Sequence, residues 1–91
     1  MTELAGLPGA DYIEAGLEDL ARGIESVSAL LVAIGAPRLR RAGINVPPGP
    51  PDPEHRLYRL LAHDGSDAAH SRYNALIRRL VSFERALECA S

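Results

Sequence analysis

Seven apolar residues near the start of the chain, Ile13, Leu17, Leu20, Ile24, Val27, Leu31 and Ile34, follow one another at spacings of 4, 3, 4, 3, 4 and 3. Alternating steps of three and four keep side chains on one stripe of an α-helix, so the pattern predicts a coiled-coil-like heptad seam. Gly16 and Gly23 lie one heptad apart on a flank that continues to Leu30, with Ala21 and Ser28 on the other flank. Asp11 follows the breakers Pro8 and Gly9 and suits an N-cap. Glu14, Glu18 and Asp19 suit the positive end of the helix dipole, and Gly35 with Pro37 beyond it supplies a stop. One helix is therefore expected over about 11–35. Pro37 to Ala42 adds a further turn closed by Gly43, with Arg38, Arg40 and Arg41 near the helix C-terminus.

Two further apolar stripes follow a break. Residues 46–53 hold five prolines in eight positions, which excludes regular helix and sheet and predicts an extended connector over about 43–53. A proline-motif ligand built on Pro47 and Pro50 or Pro48 and Pro51 is the lesser reading of this run. Asp52 then Pro53 read as N-cap and first helical residue of a short helix, about 53–63, with Leu57, Leu60 and Leu61 inward. Gly65 ends it, Ser66 caps the next helix and Asp67 suits its first turn. That helix, about 66–89, carries Ala69, Tyr73, Leu76, Leu80, Phe83 and Leu87 at helical spacing, and Ile77 and Val81 widen the stripe enough to touch more than one neighbour.

Composition fits this outline. At 91 residues the chain supports one domain over 1–91 with a thin core, and its four aromatics make that core aliphatic. An all-α fold is expected: an antiparallel long-helix pair braced by a short middle helix, completed as a four-helix bundle by dimerisation. Two interior glycines cost a helix about 2 kcal/mol relative to alanine, so close approach of a second helix is expected to offset them. The expected interaction residues are Gly16, Leu20, Gly23, Ile24, Val27 and Leu30, within a homodimer or against a foreign helix.

Charge adds a second candidate. Residues 1–35 hold six acids and one arginine, net −5, whereas residues 36–91 hold nine arginines and six acids, net +3. Arg72, Arg78, Arg79 and Arg85 form neighbouring rows on the last helix that suit an anion or nucleic acid, the weaker of the two readings because Glu84 and Glu88 interrupt them. Glu54 to Leu80, with Gly65 in the turn, has the outline of a helix-turn-helix, but Ser71 stands where that motif buries an aliphatic residue.

Candidate chemistry is sparse. His63, Asp64, Asp67 and His70 straddle a turn, and the Glu-x-x-His pairs of helical metal sites are missing, so no metal is expected. Arg56 and His63 have an R-x6-H spacing that resembles the RNase motif of HEPN-type helical toxins, which would imply RNA cleavage in a dimer cleft. Leu57 follows the arginine where such motifs carry a polar residue, and the chain is short for that fold. Neither a phosphate loop nor a nucleophile with a histidine partner stands out, so no cofactor and no enzyme activity are expected. Cys89 is the one cysteine, and neither a leader nor a membrane span is readable, which predicts a cytoplasmic protein with no membrane contact. The function expected is a non-catalytic helical interaction or assembly module, probed by light scattering in solution.

Overall fold

A turn at residues 22–26 cuts the heptad row of the first segment, so it supplies two helices where one was expected over 11–35. The computed structural model describes residue 7, residues 9–63 and residues 66–90. Among these the chain is all-α, with α1 at Ala10–Ala21, α2 at Val27–Arg41, α3 at Pro53–Ala62 and α4 at Ser66–Ala90, and with no strand. Pro8, Asp64, Gly65 and the Ser66 side chain, with the turn and cap expected there, lie outside the described residues.

The first break has a local cause in the residues that the heptad pattern passes over. Gly23 sits at φ +73, a left-handed conformation open to glycine at no cost. Its N–H donates to the Leu20 carbonyl at 3.1 Å, and the Ile24 N–H donates to the Asp19 carbonyl at 2.8 Å. This is a Schellman stop. Three residues later Ser26 begins α2: its Oγ accepts from the Ala29 N–H at 3.1 Å and donates to Asp19 Oδ2 at 2.6 Å. Stop and start are thus clasped together through Asp19.

The same stop closes α2 at Gly43, where φ is +98 and the N–H groups of Gly43 and Ile44 reach the carbonyls of Arg40 and Leu39, both at 3.0 Å. The end expected at Gly35 is passed, and Pro37 lies inside the helix. An interior proline costs about 3 kcal/mol. Continuing the helix buries Ala36 and Leu39, at 6% and 0% exposure, and full burial of one leucine returns about 1.5–3 kcal/mol. Asp52, expected as a side-chain cap, makes no such bond: it takes φ +54 and offers its backbone carbonyl to the Arg56 N–H at 3.2 Å.

Helix α2 is central, packing on α1, α3 and α4, while α3 also packs on α4. The core is aliphatic, built from Ile13, Leu30, Leu31, Leu39, Leu57 and Leu87 around one Phe83. Gly16 lets α1 lie on the α2 backbone: a Cβ there would overlap the Ser28 carbonyl and Val32. Gly35 performs the same service toward α4, against Leu80 and Glu84. Gly35 meets Leu80 and Glu84 and Arg38 meets Glu84 and Glu88, so the register rises together along α2 and α4. The connector is tied down as well. Arg40 Nη2 donates to the Val46 carbonyl at 3.0 Å, Val46 is buried, and Gly49 passes close over Leu20 and Ala33.

Arg38 joins α2 to α4 through a fork onto Glu88, at 2.8 and 2.7 Å, and a longer 3.4 Å contact to Glu84. These contacts hold the Glu88 carboxyl below the usual carboxylate range. Glu84 is 5% exposed, and burial pushes its carboxyl up despite Arg38. The two carboxylates therefore act in opposite directions on stability. The raised pKa of Glu84 favours folding in acid and makes its ionised form unfavourable at neutral pH, while the Glu88 contribution is present above the unfolded carboxylate pKa and is lost as pH falls through its lowered value.

Two sets of melting curves check these assignments. Gly16→Ala should lose about 1–3 kcal/mol because its new methyl meets backbone, whereas Gly35→Ala, which meets only side-chain ends, should change stability by less than about 1 kcal/mol. Glu84→Gln should raise the melting temperature at neutral pH and lose that advantage in acid, where Glu84 itself is protonated. Glu88→Gln should lower the melting temperature at neutral pH and become neutral in acid.

Candidate interaction surface

The six residues expected to meet a partner helix divide between the interior and the first turn. Gly16 and Leu20 are buried on α1 and Leu30 on α2, so the close approach predicted for the glycine row occurs within the chain. Gly23 is not an interior helical residue; nothing lies within 4 Å of where its Cβ would be, and its positive φ is what the position requires. Val27 is partly buried against the core. Gly23 and Ile24 both stay outside, and Ile24, at 47% exposure, is the large side chain of the two because the Schellman stop lifts it off the helix stripe.

A second apolar side chain is exposed nearby. Leu60, expected inward, is 39% exposed, while Leu57 and Leu61 are buried. At 100° per residue Leu57 and Leu61 lie about 40° apart on the helix, whereas Leu60 lies about 100° from Leu61, beyond the reach of the face that α3 turns to its neighbours. Two clefts meet between these residues at Glu25. One, of about 330 Å³, is lined by Glu25, Arg56, Arg59, Leu60 and His63. The other, of about 260 Å³, runs from Leu20, Gly23 and Ile24 to Pro48, Gly49 and Pro50 of the connector. Arg56 braces the junction: its Nε donates to the Pro51 carbonyl at 2.9 Å and its Nη1 to Glu25 Oε1 at 2.8 Å. Arg56 and His63, the pair with R-x6-H spacing, thus line one cleft together.

The arginines of α4 separate too. Arg72 and Arg79 line a cleft of about 240 Å³ with Tyr12, Val27, Ala75 and Leu76, and the Arg79 guanidinium stands over the Tyr12 ring at 5.1 Å from its centroid. Arg78 and Arg85 are exposed and line neither this cleft nor those at Glu25. The Tyr12 contact was not readable from the rows of α4, because the aromatic arrives from α1. Glu25 and Arg56 were equally hidden, being 31 residues apart. Leu60 left no signal, since leucines at i, i+3 and i+4 form an ordinary core-facing stripe of about 100°, and which edge of it stays exposed depends on where the neighbouring helices lie.

Other chemistry is thin among the described residues. No group of three or more His, Cys, Asp or Glu side chains is placed to hold a metal ion. His70 stands 3.2 Å from Asn74 on its own helix, Asp67 and His63 are exposed, and Cys89 is exposed and unbridged. No helix among them is long and apolar enough to cross a membrane. Comparison of the chain with models of protein families, with characterised proteins and with solved structures finds no match in any of the three.

Proposed function

We propose that the protein is a non-catalytic helical interaction module that acts by self-association, with its contact surface at the α1–α2 turn and the adjoining side of α3. The observation that carries this reading is the exposure of Ile24 and Leu60, at 47% and 39%, on two clefts that meet at Glu25. Scattered apolar residues are ordinary on a surface, but two large aliphatics around one shallow depression, rimmed by charges of both signs, have the anatomy of a small interface. The mixed rim suits a two-fold contact, because an acid of one copy meets a base of the other in the same patch. Gly16 and Leu30 take no part in it, since α1 and α2 bury them internally, whereas Gly23 lines one of the two clefts.

Light scattering over a tenfold dilution tests the proposal. The expected result is a mass above the 9.8 kDa of one chain at the higher concentration, lost in Ile24→Asp with Leu60→Asp while the far-UV circular dichroism is retained. A constant single-chain mass overturns self-association.

A second reading, contact with nucleic acid, gains support from the Tyr12 ring beneath Arg79 and beside Arg72, an aromatic among arginines that suits stacking and phosphate pairing. Titration with a short single-stranded oligonucleotide at low salt checks it. Binding that weakens steeply with salt and is lost in Arg72→Gln with Arg79→Gln is the outcome it requires.

A further inference from the structure

The geometry points to an oxyanion-binding site on α3, formed by Arg56, Arg59 and His63 beside Leu60, in which the Glu25 carboxylate is a resident competitor. The site lies within the proposed contact face, but its occupation by a small anion is a separate property from association and is read by a separate experiment.

Three observations carry the inference. Residues 56, 59 and 63 fall within about 60° of one another on a helix, so their side chains share one stripe, and all three line the same 330 Å³ cleft. Arg56 is held in place from one edge: its Nε is bound to the Pro51 carbonyl, which fixes the guanidinium plane and turns Nη1 toward the cleft. A carboxylate already sits there, since Glu25 Oε1 accepts from that Nη1 at 2.8 Å, which shows the chemical class that the position accommodates. The side chains of Arg59 and His63 have no hydrogen bond or ion pair among the described residues, so their donors are open to a ligand. His63 presents a ring N–H whether or not it is charged, and arginine pairs with carboxylate or phosphate through two parallel N–H donors.

Glu25 sets the strength of the site. It belongs to the exposed turn after α1, and both members of its pair with Arg56 are nearly half exposed, at 45% and 41%. Solvated pairs of this kind are weak enough for a ligand in solution to exchange with the resident carboxylate. Leu60 provides an apolar shelf alongside, which favours an anion attached to a hydrocarbon group, such as an acidic side chain, over a fully hydrated ion.

The experiment is a titration of the full chain with acetate and, separately, inorganic phosphate at constant ionic strength, followed by amide and arginine side-chain NMR signals. Shifts centred on Arg56, Arg59 and His63 are expected. Glu25→Gln should tighten the apparent Kd about twofold to fivefold, the gain that removal of an exposed ion pair allows. Arg59→Gln should abolish saturation in both backgrounds. Acetate saturating at lower concentration than phosphate assigns the site to carboxylates, and the reverse order assigns it to phosphoryl groups. Because Glu25→Gln is a gain of binding, loss of fold cannot imitate it. Equal affinity of wild type and Glu25→Gln, saturation that survives Arg59→Gln, or shifts centred on Arg72 and Arg79 would overturn the inference. Light scattering of the same samples reads self-association independently.

Discussion

The contact of Gly16 with the Ser28 carbonyl and Val32 governs how the first segment enters the fold, and most of the molecule is arranged around its consequence. Without a Cβ at residue 16, α1 lies on the backbone of α2, and the two helices close as a hairpin through the Gly23 stop and the Asp19–Ser26 clasp. Closing that hairpin covers one side of α2 and leaves its other sides for α3 and α4. Gly35 repeats the device at the second contact, where the obstructing atoms belong to movable side chains. The two glycines at close contacts thus have different neighbours, one rigid and one compliant, which is why equal substitutions have unequal consequences.

Charge plays a smaller part in stability than the uneven distribution along the chain suggests. Arg38 pairs with Glu84 and Glu88 within the basic part, and Arg22 with Glu18 within the acidic part. Glu25 to Arg56 is the ion pair that joins the two among the described residues. Most of these groups are exposed, where pairs contribute about 0–1 kcal/mol. The aliphatic core, with the closely packed hairpin at its centre, is therefore the dominant source of stability. The charges left at the surface are available for recognition, and those on α3 stand near Ile24 and Leu60, two exposed large aliphatic side chains among the described residues.

The core takes up most of the side chains that the sequence offers for contact. Gly16 and Leu30 are buried within the chain, and Leu20 shows only an edge in the cleft beside the connector. What remains outside is the residue that the turn displaces, Ile24, and the leucine that α3 cannot turn inward, Leu60. The proline-rich connector borders the same depression, and its last carbonyl before Asp52 orients Arg56. The surface proposed for association and the donors proposed for an anion thus meet at one place, where the turn after α1, the proline-rich connector and the exposed edge of α3 come together.

Helix content and the proline break were legible in the sequence because each rests on interactions within a few residues, and the apolar stripe of α4 because its period is that of a helix: Ala69, Leu80, Phe83 and Leu87 of it are buried and Tyr73 and Leu76 half-buried. The seam from Ile13 to Ile34 misled for a physical reason. Its period survives the turn, since five residues at 22–26 happen to keep the 3–4 spacing in phase, and a heptad row reads alike whether one helix or two carry it. Gly23 and Ser26 were the local stop and start signals, and both are also tolerated inside a helix, so sequence alone left the choice open. Tertiary packing decided it: Gly16 fits against Ser28 only if the chain doubles back, and the burial gained by doing so exceeds that of an extended helix with one apolar stripe. Pro37 was decided in the same way, because the burial of Ala36 and Leu39 in the core offsets the cost of a proline inside the helix. Propensity and period are properties of the chain itself, whereas close approach and burial exist only once the helices have met.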